Sequence, residues 1–117
     1  MKMFYPAYIF DTEWKEVINF VEKNLCKDDI CRRKVEQNLH PDVYILTGLI
    51  GVDDIRKIKK SLLYKPIEGE KSFVILKTEE LTIYAQNALL KILEEPPSYV
   101  CFILWGSPFP LLSTVRS

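Results

Sequence analysis

Short runs made almost wholly of apolar residues alternate along this chain with longer stretches in which apolar positions recur every three or four residues. Ala7-Tyr8-Ile9-Phe10 is the first such run and predicts a buried strand. After it, Trp14, Val17, Ile18, Val21 and Leu25 fall on one face of a helix, with Asp11 or Thr12 placed to cap it. Lys27 to Asn38 is charged and irregular, a loop followed by a short helix. Val43-Tyr44-Ile45-Leu46 predicts a second strand, introduced by His40-Pro41-Asp42, where proline disfavours helix in the residue before it. Gly51 opens a helix carrying Val52, Ile55, Ile58, Leu62 and Leu63, which Pro66 and Gly69 close. Ser72-Phe73-Val74-Ile75-Leu76 is a third strand. A helix from about Tyr84 turns Ala85, Ala88, Leu89, Ile92 and Leu93 inward until Pro96-Pro97 stops it, and Val100 to Trp105 is a fourth strand.

Strands this apolar need cover on both faces, which means a parallel sheet between two layers of helices. The order is βαβαβαβ with right-handed crossovers, an α/β fold. Pro108 to Leu112 reads as a turn and a short helix, and Ser113 to Ser117 leads into no further strand. The expectation is therefore one partial domain over residues 1–117, truncated before its last strand.

Composition narrows the function more than the fold. At 117 residues, 48% hydrophobic and 27% charged, the chain has room for one core and little more. Sixteen basic side chains balance sixteen acidic ones, so any DNA contact must be local or shared with partners. No apolar run approaches the ~20 residues of a membrane helix. The N-terminal stretch is followed by Asp11, Glu13 and Glu16 rather than by a small-residue cleavage site, which is not how a signal peptide reads. Three cysteines, an odd number, without such a signal point to a reducing cytoplasm and to no disulfide framework.

Two stretches carry a family resemblance. The run Ala85-Gln86-Asn87-Ala88-Leu89-Leu90-Lys91-Ile92-Leu93-Glu94-Glu95-Pro96-Pro97 resembles the most recognisable signature of bacterial clamp-loader ATPase-fold subunits. Leu111-Leu112-Ser113-Thr114-Val115-Arg116-Ser117 is similar to the approach to that family's Ser-Arg-Cys motif. His40-Pro41-Asp42 before the second strand and Gly51-Val52-Asp53-Asp54-Ile55-Arg56 at the next helix are similar to the delta-prime members of bacterial DNA polymerase III. Together these span roughly residues 40 to 117 in the right order. The first forty match only as a strand followed by a helix. The resemblance implies a three-layer RecA-like, AAA+ parallel sheet with helices on both faces.

Ala88, Leu89, Ile92 and Leu93 are what any core-facing helix shows. Asn87, Lys91, Glu94 and Glu95 suit a solvated face equally. In the family this helix end lies at the seam between subunits, which makes them interface candidates together with Thr114, Arg116 and Ser117. Pro96-Pro97 serves as a stiff helix stop.

What the chain lacks sets the expected mechanism. ATP hydrolysis on such a fold needs a glycine-rich loop after the first strand, with backbone N–H groups and a lysine around the phosphates. Asp11-Thr12-Glu13-Trp14-Lys15-Glu16 stands there instead, without a glycine and with carboxylates that repel a triphosphate. An acidic pair for magnesium belongs at the end of the third strand. Counting back from the helix signature places Leu76 and Lys77 there, while Glu79 and Glu80 begin or cap the next helix. Ser107 stands where the family carries a polar residue after the fourth strand. No cofactor and no catalytic residue is expected, although the parent holoenzyme is a DNA-directed DNA polymerase.

Related subunits insert a four-cysteine zinc module between the first helix and second strand. Cys26 and Cys31 lie there but are too few and too widely spaced, a remnant at most even with His40 added. His40 reads as a turn residue without a nucleophile beside it. Arg56, Lys57, Lys59, Lys60 and Lys65 form the local basic cluster, a solvated helix face or a glancing contact with DNA or an acidic partner.

The resemblance thus implies a rigid, non-hydrolysing clamp-loader subunit in the cytoplasm. Its partners would be motor subunits and a delta subunit, and through them the sliding clamp and primed DNA. The family's arginine finger belongs to the Ser-Arg-Cys motif and would directly follow Ser117, so Arg116 is its predecessor. An ATP-hydrolysing motor subunit is the rival, against which the missing phosphate loop speaks. An autonomous DNA-binding module is the second, against which neutral charge speaks. The family strand order, 5-1-4-3-2, would leave Ala7 to Phe10 as a bare edge here, with self-association as the consequence.

Overall fold

The computed structural model describes residues 2–4 and 7–106. Its centre is a five-stranded sheet whose strands are β1 (Lys2–Phe4), β2 (Ala7–Phe10), β3 (Val43–Leu46), β4 (Ser72–Lys77) and β5 (Val100–Trp105). They lie in the order β1-β2-β5-β4-β3. β2, β5, β4 and β3 are mutually parallel, with Ile9 opposite Leu104, Ile75 opposite Ile103 and Ile45 opposite Ile75. This is the expected 1-4-3-2 order of the four predicted strands. The edge expected to be bare is not: β1 pairs antiparallel with β2, Met3 opposite Tyr8. That contact supplies the backbone partners whose absence was to drive self-association.

Alternation along each strand sorts its side chains into two cores. Val100, Phe102 and Leu104 of β5 join Val74 and Leu76 of β4 on one face, against Ile55 and Ile58 of α3 (Val52–Ser61) and Ala85 and Leu89 of α4 (Ile83–Glu94). Cys101 and Ile103 join Phe73 and Ile75 on the other, against Val17 and Val21 of α1 (Trp14–Leu25) and Val35 of α2 (Asp29–Glu36). Phe102, Ile103, Val17 and Val21 have no exposed surface. The three-layer α/β arrangement read from the sequence is therefore present. Among the described residues no helix is long and apolar enough to cross a membrane.

Several local expectations are corrected. Glu13, not Asp11 or Thr12, precedes α1, and its side chain makes no capping bond. Glu79 and Glu80 do not begin α4; they lie in a 3-10 turn, Thr78–Glu80, and Thr82 caps α4 by accepting the Ala85 N–H at 3.1 Å. Leu63 lies past the end of α3 and is 73% exposed, because Leu62 closes the helix and turns inward. His40 opens a turn as read, its carbonyl accepting the Val43 N–H at 3.2 Å, and it is buried at 5% exposure. Pro108 to Leu112, read as a turn and a short helix, lie outside the described residues.

One buried carboxylate ties the connections together. Asp42, 1% exposed, accepts the backbone N–H groups of Ile67, Glu68 and Gly69 at 2.6, 2.8 and 2.8 Å. Its own carbonyl accepts the N–H of Phe73 at 2.8 Å. The segment between α3 and β4 is thereby fastened to the start of β3. Replacing Asp42 by Ala removes a charged acceptor from three donors and should lower the unfolding free energy by about 3–5 kcal/mol. Asn, which keeps one acceptor oxygen, should cost roughly half as much. Urea denaturation followed by Trp fluorescence measures both.

Candidate functional site

Parallel sheets flanked by helices bind ligands beyond the carboxyl ends of their strands. Here that edge is formed by the ends of β2, β5 and β4, where the phosphate loop and metal ligands were sought. The chain leaves β2 at Phe10, whose carbonyl accepts the Gly106 N–H at 3.0 Å. Two residues on, the Thr12 carbonyl accepts the indole N–H of Trp105 at 2.8 Å. The ring of Trp105 stands 5.0 Å from that of Trp14 at the first position of α1, and the Lys77 ammonium lies 5.2 Å from the Trp105 ring centre. The mouth of the sheet is thus built from a pair of indoles and a cation.

The charges and packing at this edge can be set against what a bound nucleotide needs. A helix N-terminus offers free N–H groups and a favourable dipole to an anion. At α1 the nearby charges are the exposed carboxylates of Asp11, Glu13 and Glu16 and the single cation Lys15. At the end of β4, Leu76 is fully buried in the core and Lys77 carries positive charge, engaged by the Trp105 face and by Glu80 at 3.9 Å. A divalent cation finds no carboxylate at either position. Gly106 has a φ of +104°, and a Cβ there would sit 3.3 Å from Glu79 Oε1, so the turn out of β5 is closed against this loop. The indole pair was missed in the sequence, where Trp14 read as a core residue and Trp105 as the end of a strand. An aromatic at the first turn of a helix where glycine was expected was the available signal.

The interface candidates fall as follows. Asn87, Lys91, Glu94 and Glu95 are all exposed, the first three on the outer face of α4 opposite Ala85, Leu89 and Ile92. Thr114, Arg116, Ser117 and the polar Ser107 lie outside the described residues.

At the opposite, amino end of the strands the cysteine expectation is overturned. Cys26 and Cys31 are joined in a disulfide, their Cα atoms 5.4 Å apart. Helix capping explains the approach. Cys26 ends α1 in an extended conformation, and Asp28 caps α2 by accepting the Cys31 N–H at 2.8 Å, which folds the chain back on itself. Both sulfurs bond each other, so neither stands as a thiolate ligand of a zinc remnant. His40 is likewise engaged: Nδ1 accepts the Asp42 N–H at 3.1 Å and Nε2 faces Glu68 Oε2 at 3.4 Å. Among the described residues no three His, Cys, Asp or Glu side chains form a metal-binding group. Cys31, His40 and Cys101 border a cleft of about 650 Å³ between α1, α2 and the loop before β4. Across the junction, burial and the Glu36 carboxylate both raise the pKa of Glu22.

The sequence matches the family model described as DNA polymerase III, delta subunit, over residues 7–117. It is 40% identical over 103 residues to the delta-prime subunit of DNA polymerase III from Yersinia pestis, covering 82% of this chain and 30% of that protein. It is 35% identical over 89 residues to the gamma subunit from Buchnera aphidicola, covering 74% of this chain and 25% of that protein. A solved gamma subunit-related protein from Thermotoga maritima superposes with a TM-score of 0.65 at 27% identity, covering 94% of this chain and 38% of that one. The chain spans 25 to 38% of the length of these relatives.

The disulfide closes a short loop, with a sequence separation of 5. Reduction, or Cys26→Ser with Cys31→Ser, should therefore lower the unfolding free energy by about 2 kcal/mol, read from urea curves with and without a dithiol. The third cysteine sets a pH limit. Burial pushes the Cys101 thiol up to about 11, with Lys71 pulling the other way. Its folded value lies above its ordinary value of 9.0, so its contribution to stability is complete below about pH 9 and is lost as pH rises through about 11. Denaturation midpoints between pH 8 and 11 should fall more steeply for the native chain than for Cys101→Ala.

Proposed function

The chain belongs to the delta-prime and clamp-loader family of DNA polymerase III, and we propose that it serves there as a subunit that does not hydrolyse ATP. The observation that carries this reading is the indole pair of Trp14 and Trp105 beneath Lys77, standing where a nucleotide-binding relative needs glycines and magnesium ligands. Leu76 and Lys77 at the end of β4 support it independently, since restoring one half of the machinery would leave the other missing.

On this reading residues 1–117 form one clamp-loader ATPase-type domain without a phosphate loop. It works in the cytoplasm with the motor subunits and the delta subunit, reaching the sliding clamp and primed DNA through them. A fixed subunit needs stiffness rather than a cycling site, and the Asp42 clamp with the two-sided core supplies it. The exposed face of Asn87, Lys91, Glu94 and Glu95 is the surface it offers to a neighbour, with Thr114, Arg116 and Ser117 continuing that role. In a reducing compartment the Cys26–Cys31 pair is exposed to thiol exchange, and a dithiol form of the same domain is compatible with this function.

The motor-subunit reading draws on the likeness to gamma subunits and is separated by nucleotide binding. Titration calorimetry of the chain with ATP and magnesium should give no saturable heat. Quenching of Trp105 or Trp14 fluorescence by nucleotide should likewise be absent. A micromolar dissociation constant overturns the non-hydrolysing reading and leaves family membership untouched.

A further inference from the structure

The cleft at the amino end of the strands joins features that the clamp-loader reading leaves unused. Its volume of about 650 Å³ falls in the range of small-ligand sites, ~300–1,000 Å³. Tyr8, Phe20 and Phe73 give it apolar walls, the rings of Tyr8 and Phe20 lying 4.9 Å apart. Of the two bonded cysteines, Cys31 borders the cleft and Cys26 does not. Both are half-buried, so a small molecule in the cleft meets the disulfide at Cys31.

The charges on the rim divide into engaged and free. Lys34 is paired with Glu68 at 2.7 Å, and Asp28 accepts the Cys31 N–H at 2.8 Å. Lys27, Glu70 and Lys71 are exposed and take part in no ion pair among the described residues. Two cations and one carboxylate therefore remain for a ligand. Cys101 also borders the cleft, but burial pushes its thiol up to about 11, which keeps it protonated and a poor nucleophile.

We propose that the cleft binds a low-molecular-weight thiol carrying two carboxylates and one ammonium, the charge pattern of glutathione, and receives it on Cys31 as a mixed disulfide. Lys27 and Lys71 take the carboxylates, and Glu70 takes the ammonium. The bound thiolate attacks Cys31 Sγ. A new S–S bond forms as the Cys26–Cys31 bond breaks, and Cys26 leaves as a thiolate that takes a proton from water. The disulfide is itself the oxidant, so no other is needed. Leaving-group strength alone would send the attack to Cys26, because Cys31 stands in the first turn of α2, where the helix dipole favours its thiolate. Access through the cleft reverses that preference. The proposal uses neither the indole pair nor a nucleotide, and stands whether or not the chain hydrolyses ATP.

The test mixes the whole chain, its disulfide closed by air, with equimolar glutathione and no other oxidant. The reaction is quenched early with acid and an alkylating agent and read by peptide mass mapping. Glutathione should be found on Cys31, with Cys26 alkylated. Compared at equal thiolate concentration, glutathione should react about tenfold faster than neutral 2-mercaptoethanol, and cationic cysteamine more slowly than either. Lys27→Glu with Lys71→Glu should erase the preference for glutathione while leaving the 2-mercaptoethanol rate within about twofold. Both lysines are exposed, and an unchanged far-ultraviolet circular dichroism spectrum checks that the variant folds. Lys57→Glu with Lys60→Glu, the same charge change away from the cleft, should keep the preference. Glutathione on Cys26 or Cys101, no adduct, equal rates for the three thiols, or a preference that survives Lys27→Glu with Lys71→Glu overturns the proposal.

Discussion

The carboxylate of Asp42 is a short-range constraint with long-range reach. It stands at the start of β3, yet its three acceptor contacts go to Ile67, Glu68 and Gly69, about 25 residues away in sequence. A buried charge is tolerated only when its lone pairs are satisfied, and three backbone donors satisfy this one. The clamp sets the path of the chain into β4, which in turn fixes the register of β4 against both β3 and β5. It also places Glu68 beside His40 and Lys34, and Gly69 so close to Leu25 that a Cβ there would meet Leu25 Cδ1. The Lys34–Glu68 pair at 2.7 Å is partly exposed and adds little by itself. Its geometry follows from the clamp rather than sustaining it.

The two ends of the sheet consequently differ in chemistry. At the carboxyl end, aromatic surface and one cation close the mouth. At the amino end, the disulfide, His40 and the Asp42 clamp surround an open cleft. The disulfide and the clamp fasten the chain through different connections, the first between α1 and α2 and the second between α3 and β4. Their effects on stability should nevertheless couple, since Gly69 packs on Leu25 of α1 and Glu68 pairs with Lys34 of α2.

Much of the fold was legible because its strands are short, apolar and bounded by breakers. Val43 to Leu46, Ser72 to Leu76 and Val100 to Trp105 were read with their bounds nearly intact, and the alternation of Phe102 with Ile103 then dictated a two-sided core. What escaped were contacts between segments distant in sequence. His40-Pro41-Asp42 was visible as a strand entry, but a carboxylate that captures the N–H groups of residues 67–69 leaves no periodic mark. The Cys26–Cys31 pairing was obscured by a rule about cell compartment, when the caps of two consecutive helices decided it. Lys2 to Phe4 was too short to read as a strand, yet it occupies the edge of β2. The absence of glycine between Asp11 and Glu16 was plain from residue types alone. What fills its place was not, because Trp14 and Trp105 are 91 positions apart in sequence.

That indole pair bears on how the carboxyl edge of this sheet is packed. A protein interior is packed to the density of a crystal, and a phosphate cradle emptied of its glycines would leave unpaired N–H groups and void space. Here the residue after the cradle position is an indole whose partner comes from the neighbouring strand, and Thr12 offers its carbonyl to that partner. Lys77 then lies over the same ring rather than over phosphate. The carboxyl edge of the sheet is thereby held by ring packing and by one hydrogen bond to the backbone.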